Sequence, residues 1–117
     1  MPLISIATYN VNSVKSRLPI LEVWLKSEKA PDILCLQEIK CQDADYPSGF
    51  FEDLGYKSVF KGMKSYNGVA IISKFEPEDV SFGLGDEALP EKEESEKARV
   101  VRARFGSLNI LNTYIPQ

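Results

Sequence analysis

One glutamate and two asparagines follow two apolar segments of this chain. Glu38 comes shortly after the apolar run 33–36, and Asn10 and Asn12 follow the alternating apolar segment 3–7. An α/β sheet places its sites outside the carboxyl ends of its strands, so we expect these side chains to aim at one point. A lone carboxylate with neutral amides beside it could anchor a hard cation.

The chemistry open to Glu38 is the anchoring of Mg²⁺ against a phosphate. Mg²⁺ takes octahedral oxygen ligands and typically uses one or two protein carboxylates, with water and substrate phosphate completing the shell. One carboxylate is therefore sufficient for this role. The alternative interpretation is a simple surface carboxylate that happens to follow a strand.

Three further side chains have both a chemical and a purely structural interpretation. Asn10 could orient a water or steady a metal-bound carboxylate without adding negative charge that repels a phosphodiester. Alternatively, Asn10 and Asn12 are turn residues that bond to their own backbone. Tyr114 lies near the end of the last apolar segment. It either packs in the core or donates its hydroxyl to a phosphoryl oxygen as charge builds up in the transition state.

The amino-acid composition excludes several kinds of catalysis. The sequence contains no histidine, which removes Ser-His-Asp and Cys-His catalysis, a histidine base and His-ligated zinc. A metal would then be a hard ion held by oxygen ligands. Cys35 and Cys41 are the two cysteines. We interpret them as free thiols, Cys35 buried in its strand and Cys41 in a loop.

The length and hydropathy pattern indicate a small globular unit. The 117 residues are 44% hydrophobic and 26% charged, as expected for one domain or part of a larger one. The longest apolar runs have about five residues, against roughly 20 for a membrane span. The start of the chain lacks the basic and apolar regions of a secretory signal, so we expect a cytoplasmic location without a membrane partner.

Charge is distributed unevenly along the chain. The net charge is −3, but segment 86–96 alone carries six acids and one lysine, a net of −5, which leaves +2 elsewhere. We interpret this segment as a solvated loop, so the net charge does not exclude a polyanionic partner. Basic residues in or beside the loops that flank the predicted strands are what a phosphate-backbone track requires: Lys15, Arg17, Lys40, Lys61, Lys64 and Lys74.

The hydrophobic periodicity predicts a strand–helix–strand unit at the start of the chain. A strand at 3–9 and a fully apolar strand at 32–37 flank an amphipathic helix at 17–29, for which Ser16 is the expected N-cap. Such a unit implies parallel strands with a right-handed crossover. The pattern then predicts a short helix and five strands, at 48–54, 56–61, 68–73, 78–82, 99–105 and 108–114, the last two forming a hairpin.

Six sequence segments occur in an order that is typical of one known family: TYNVNSVKSR (8–17), PDILCLQEIK (31–40), LGY (54–56), KSYNGVAIISK (64–74), ARVV (98–101) and NTYIPQ (112–117). Together they resemble the opening of the exonuclease III family of apurinic/apyrimidinic endonucleases, within the endonuclease/exonuclease/phosphatase superfamily. One such segment is weak evidence, whereas six in register are strong evidence.

The resemblance implies a fold and an activity. The fold is α/β: residues 1–117 would form the N-terminal half of a four-layer α/β sandwich, as one mixed β-sheet with flanking helices. The family acts on duplex DNA with Mg²⁺ or Mn²⁺, cleaving the phosphodiester 5′ to an abasic site and trimming 3′ ends. The expected enzyme is therefore a DNA repair nuclease, an exodeoxyribonuclease III or AP endonuclease.

The resemblance also implies roles for single residues. Glu38 would be the metal ligand, and Asn10 its catalytic companion, near the metal or acting on it indirectly. Asn12 occupies a nearby position that is acidic in some relatives, which makes it a tentative metal neighbour. Tyr114 would contact the scissile phosphate. Four residues match positions that meet DNA: Lys15, Tyr66, Arg99 and Gln117.

The family's later G-D-x-N and S-D-H segments do not occur in these 117 residues. We therefore expect the chain alone to have little or no nuclease activity. Half a sandwich would leave one sheet face uncovered, so we also expect self-association through that face.

Two rival functions are compatible with parts of the sequence. One is another phosphoesterase of the superfamily, a phosphoinositide phosphatase or a sphingomyelinase, since these share an early Asn and a Gln-Glu pair. The other is a non-catalytic interaction module in which the acidic segment 86–96 binds a partner. The loop at Tyr66, Arg99 and the final NTYIPQ favour DNA.

Overall fold

The computed structural model describes residues 3–62, 67–83 and 99–114. Seven strands and two α-helices lie in these ranges: β1 (Ile6–Asn10), α1 (Leu18–Leu25), β2 (Ile33–Gln37), α2 (Ser48–Asp53), β3 (Lys57–Lys61), β4 (Val69–Ser73), β5 (Asp79–Phe82), β6 (Val100–Phe105) and β7 (Leu108–Thr113). The predictions for Lys64, Tyr66, Gln117 and the acidic segment 86–96 fall outside the described residues.

The first sheet is mixed and has the strand order β1-β2-β4-β3. β1 and β2 are parallel, with Ile6 opposite Ile33 and Asn10 opposite Gln37, so the predicted strand–helix–strand unit is confirmed. The other pairs in this sheet are antiparallel. β2 lies in the middle of the sheet, and its apolar residues are buried on both faces, as its uninterrupted apolar sequence predicts.

The helices cover the outer face of the first sheet. Leu21 and Phe51 from the two helices are fully buried in one cluster with Leu34 and Ile72 from the sheet. The fully apolar strands thus have a partner layer on this side. No helix in the described part of the chain has the length and apolar character that crossing a membrane requires.

The last three strands form a second, antiparallel sheet with the order β5-β6-β7. The predicted hairpin between β6 and β7 is confirmed, and Gly106 at its turn has φ +64°, a conformation that glycine adopts without strain. The α/β class and the mixed sheet are also confirmed. The expectation of one sheet is wrong, because β5, β6 and β7 pair with one another rather than with the first sheet.

The two sheets pack face to face over part of their surface. Ile33 and Ile71 of the first sheet lie in one buried cluster with Val101 and Ile110 of the second. The expectation that the inner face of the first sheet is uncovered is therefore wrong at β2 and β4. At the margin of this face, Ile6 on β1 is 49% exposed.

The first helix is shorter than its periodicity predicts. It ends at Leu25, four residues before the predicted end, because Ser27 turns the chain by donating its hydroxyl to the Trp24 carbonyl at 2.6 Å. Ser16 is not the N-cap: its hydroxyl instead donates to Ser13 Oγ, and it lies in a 3₁₀ turn, Lys15–Arg17, that precedes the helix. Local side-chain bonds of this kind compete with helix formation.

Candidate active site

Glu38 and Asn10 lie at the ends of adjacent parallel strands and contact each other. The Asn10 carboxamide donates from Nδ2 to Oε2 of Glu38 at 2.5 Å. Its Oδ1 accepts a hydrogen bond of 3.2 Å from the backbone N–H of Asn12. Asn10 therefore bonds to its own turn with one side-chain atom and to the carboxylate with the other.

The loops that carry these side chains have unusual backbone geometry. Glu38 and Lys40 have φ values of +55° and +53°, a left-handed conformation that non-glycine residues rarely adopt. Hydrogen bonds from both sides hold it: Ser13 N–H donates to the Glu38 carbonyl at 2.9 Å, and Ile39 N–H donates to the Gly68 carbonyl at 3.2 Å. Strain that the surroundings fix in this way is typical of functional sites.

Lys40 and Tyr114 complete the surroundings of the carboxylate. Lys40 Nζ lies 3.5 Å from Oε1 of Glu38 and donates to Oδ1 of Asn12 at 2.5 Å. The hydroxyl of Tyr114, the residue directly after β7, donates a hydrogen bond to Glu38. Lys40 was expected only as one of several basic residues near the loops. The signal that was missed is the spacing of Lys40 from Glu38. The residue between them, Ile39, is buried, so the side chains of Glu38 and Lys40 both lie on the opposite, solvent-facing side of the chain.

Protonation states follow from these contacts. The hydrogen bond from Asn10 holds the pKa of Glu38 below its usual value, with Lys40 and Tyr114 adding to this effect against partial desolvation. Desolvation raises the pKa of Tyr114, and the neighbouring Glu38 charge raises it further. At neutral pH the pair is thus a carboxylate and a neutral phenol, which is an acceptor facing a donor.

A cavity of about 750 Å³ lies at this end of the sandwich, between β1, β2 and β7. Its polar lining includes Asn10, Gln37, Glu38, Asn112 and Tyr114. Ligand sites commonly have volumes of roughly 300–1,000 Å³ and a few convergent polar groups. The volume and the lining both agree with a ligand site at the strand ends.

A polar bridge between the two sheets, in the lining of the cavity, is a feature that sequence reasoning missed. Gln37 Nε2 donates to Thr8 Oγ1 and to Asn112 Oδ1, both at 2.8 Å. Asn112 Nδ2 donates to the carbonyls of Leu36 at 2.9 Å and Ala70 at 2.8 Å. Asn112 is only 3% exposed. A polar residue at a core-facing position of β7 was the available signal.

The residues predicted to meet DNA are only partly described. Arg99 accepts a 2.7 Å hydrogen bond at its carbonyl from the Tyr114 N–H, so it lies across the strand end from that tyrosine. Lys15 is exposed in the turn after β1 and lies near the thiol of Cys41. Burial raises the pKa of that thiol, and Lys15 opposes the rise. Tyr66 and Gln117 lie outside the described ranges.

The donor set at Glu38 fits a hard cation held by few protein ligands. Within residues 3–62, 67–83 and 99–114 there is no group of three or more Cys, Asp or Glu side chains that could hold a metal. A carboxylate offers about four lone-pair positions. Asn10, Lys40 and Tyr114 use three of them at Glu38, which leaves a position for a cation. Mg²⁺ with one carboxylate, water and phosphate suits this arrangement.

Comparison with known proteins shows similarity to DNA repair nucleases. Residues 7–108 match the Endonuclease/Exonuclease/phosphatase family. The chain is 33% identical over 114 residues to an exodeoxyribonuclease III of Haemophilus influenzae, a match that covers 94% of this chain and 40% of that protein. It is also 33% identical over 97 residues to the DNA repair nuclease APEX1 of Danio rerio, covering 80% of this chain and 29% of that protein.

Solved structures of similar fold agree with the sequence matches. An AP endonuclease from Archaeoglobus fulgidus superposes with a TM-score of 0.84 at 49% identity, covering 97% of this chain and 42% of that one. A 3′ phosphatase, NExo, from Neisseria bound to a product DNA hairpin superposes with a TM-score of 0.82 at 38% identity. This match covers 96% of this chain and 41% of that one. The resemblance inferred from the motifs is confirmed. The chain spans about two fifths of the length of these structures.

Proposed function

Because the chain belongs to the Endonuclease/Exonuclease/phosphatase family, we propose that it forms the cation-anchoring part of a DNA repair nuclease. The reaction is hydrolysis of phosphodiesters at abasic sites and 3′ ends of duplex DNA. The observation that carries the proposal is the convergence of Asn10, Lys40 and Tyr114 on the single carboxylate of Glu38. The names of the sequence relatives and of the two structural neighbours agree with this class of substrate.

The metal in this proposal is Mg²⁺ or Mn²⁺, held by Glu38. Such a cation, when bound, polarises a phosphoryl oxygen and lowers the pKa of a coordinated water. Asn10 orients the carboxylate and adds no charge of its own, since its amide nitrogen already faces Oε2. Asn12 is held by Lys40, so its amide lies beside the anchor rather than pointing away from it.

Tyr114 is the proposed contact to the scissile phosphate. Its phenol is protonated at neutral pH, because its pKa lies above the ordinary value of 10.0. In the structure its hydroxyl donates a hydrogen bond to Glu38, and a bound phosphate oxygen would accept that hydrogen bond instead. A preorganised donor of this kind stabilises charge that develops in the transition state.

The proposed partner is duplex DNA with abasic sites. Lys15, in the turn after β1, and Arg99, directly before β6, are proposed to contact DNA, and Tyr66 and Gln117 are proposed to join them. Contacts of this kind go to the phosphate backbone, so binding should weaken steeply as salt rises. A cytoplasmic location remains a prediction.

Self-association also remains a prediction. Ile6 on β1 and Leu111 on β7 are 49% and 60% exposed and line the same cavity, so they mark the margin where a second copy would make contact. Sedimentation at increasing concentration tests this, and a constant monomer mass would contradict it.

The cation anchor is tested by titrating Mn²⁺ into the protein and following water-proton relaxation. Glu38→Gln should weaken Mn²⁺ binding by about tenfold or more, because it removes the only negative charge of the proposed anchor. Glu22→Gln is the matched control, since Glu22 is an exposed glutamate on α1 that pairs with Lys26. Equal Mn²⁺ affinity for the native chain and Glu38→Gln would overturn the anchor.

The choice of substrate is tested by competition. Abasic duplex DNA should compete with a fluorescent DNA hairpin for the protein, whereas phosphoinositide should not. Preferential binding of phosphoinositide would instead support another phosphoesterase of the superfamily.

A further inference from the structure

Asn112 is a buried carboxamide in a largely apolar interface between two sheets. Its neighbours in that interface include Val69, Ile71 and Val101, which pack without directional bonds. Burying an amide among such residues is costly unless its hydrogen bonds are satisfied. In this structure the Asn112 carboxamide makes three hydrogen bonds, so the cost is offset by contacts that are specific in direction.

Those three bonds connect strands of different sheets. Nδ2 of Asn112, on β7, donates to carbonyls on β2 and β4, at Leu36 and Ala70. Oδ1 accepts from Gln37, which in turn donates to Thr8 on β1. One side chain of the second sheet is thereby linked, directly or through Gln37, to three of the four strands of the first.

The position of this bridge relative to the site is specific. Asn112 lies two residues before Tyr114, and Leu36 lies two residues before Glu38. Two residues of a strand span only about 6–7 Å, so the bridge fixes the separation of the two strands immediately before the side chains that meet. Apolar packing alone would allow the sheets to slide by small amounts, whereas hydrogen bonds to two carbonyls do not.

We propose that Asn112 is a positioning residue, which sets the Tyr114 hydroxyl against Glu38 by fixing β7 on β2 and β4. This inference rests on the proposed function, because that function makes Glu38 and Tyr114 an active site. The contact between the two side chains can, however, be measured without a cation or a substrate. In this role Asn112 affects the relative position of the Tyr114 and Glu38 side chains and does not itself contact the reacting atoms.

The experiment is a comparison of NOE contacts between the Tyr114 ring and the Glu38 side chain in labelled native protein and in variants. Asn112→Leu replaces the carboxamide by an apolar side chain of similar size and removes all three bonds, and we expect it to lose the Tyr114–Glu38 NOE. Asn109→Leu is the matched control, because Asn109 is an exposed asparagine on the same strand that accepts from Arg102. It should keep the contact at native intensity.

A second variant covers the case in which Asn112→Leu does not fold. Gln37→Leu, at a half-buried position, removes the bonds from Gln37 to Asn112 Oδ1, to Thr8 and, at 3.4 Å, to the Cys35 carbonyl. The two bonds from Asn112 Nδ2 to backbone carbonyls stay in place. We expect it to fold and to weaken the same NOE. If the folded variants keep the native NOE and differ only in thermal stability, Asn112 is structural and the proposal is wrong.

This result is separable from the proposed function. Failure of Mn²⁺ to bind the native protein would contradict the cation anchor while leaving the NOE comparison intact. Loss of the NOE in the variants together with unchanged Mn²⁺ affinity would support both, since Glu38 itself stays in place.

Discussion

The carboxylate of Glu38 and the carboxamide of Asn10 are 28 residues apart in the sequence and 2.5 Å apart in the structure. Their strands are parallel neighbours, and the pairing of Asn10 with Gln37 brings Glu38 just past the same sheet edge. Asn10 ends β1 and Glu38 follows the last residue of β2, so the parallel pairing of these strands brings the two side chains together. This contact is one of three that converge on the carboxylate of Glu38, the others coming from Lys40 and Tyr114.

Removing the Asn10 carboxamide should raise the pKa of Glu38. Its hydrogen bond is the largest cause of the lowered pKa, so Asn10→Ala should move the value upward toward 4.5, the ordinary value. A ¹³C NMR titration of the Glu38 carboxyl measures this. An unchanged titration would show that Asn10 does not bind the carboxylate in solution.

The same contact makes a prediction about stability and pH. A carboxyl whose pKa is lowered by folding stabilises the protein above its unfolded pKa, and this contribution is lost as pH falls through the folded pKa. The native chain should therefore lose its stability advantage over Asn10→Ala as pH falls from about 5 through the folded pKa of Glu38. Urea unfolding at a series of pH values measures the difference.

Gly68 should be essential to the shape of the loop that carries Glu38. It has φ +94°, and an added Cβ would lie 2.4 Å from Cγ1 of Ile39, the buried residue next to Glu38. Gly68→Ala should cost about 1–3 kcal/mol of unfolding free energy, through both the strained backbone and the overpacking. Denaturant unfolding measures the loss.

Gly49 provides the control for that substitution. It lies in α2, and a Cβ there meets nothing within 4 Å. Gly49→Ala should leave the free energy of unfolding unchanged or raise it by up to about 1 kcal/mol, because alanine loses less backbone entropy on folding. Equal losses for both substitutions would contradict the assignment of Gly68.

The buried hydroxyl of Tyr56 should contribute measurably to stability. It donates to the Pro31 carbonyl at 2.7 Å, and the side chain is 1% exposed. Tyr56→Phe removes this donor and leaves a buried carbonyl without it, which should cost about 1–2 kcal/mol. Thermal unfolding measures the change, and no change would mean that water replaces the hydroxyl.

The sequence predicts the strands and the position of Glu38 because these depend on local patterns. The apolar runs of β2 and β4 are buried on both faces, and a short run of this kind is typical of a strand in the middle of a covered sheet. Glu38 follows β2 and Asn10 is the last residue of β1, so their convergence requires the parallel pairing of these two strands.

The division into two sheets and the bridge at Asn112 could not be predicted in the same way. Which strands pair is decided by packing between distant segments, such as Ile33 against Ile110, and periodicity says nothing about it. Asn112 bonds to the backbone carbonyls of Leu36 and Ala70. Every residue has such a carbonyl, so the sequence does not indicate which ones a side chain will bind. The early end of α1 likewise depends on one local bond, from Ser27 to Trp24.

The 117-residue chain alone should show little or no cleavage of abasic duplex DNA. In-line hydrolysis needs a metal, an activated water and a set of groups that stabilise charge. The described residues provide an anchor at Glu38 and a donor at Tyr114, and they contain no group of three or more Cys, Asp or Glu side chains that could hold a metal. A gel assay with an abasic oligonucleotide and Mg²⁺ measures nicking. Cleavage by the purified chain that Glu38→Ala abolishes and Glu22→Ala leaves intact would contradict this prediction and show that the anchor alone supports the reaction.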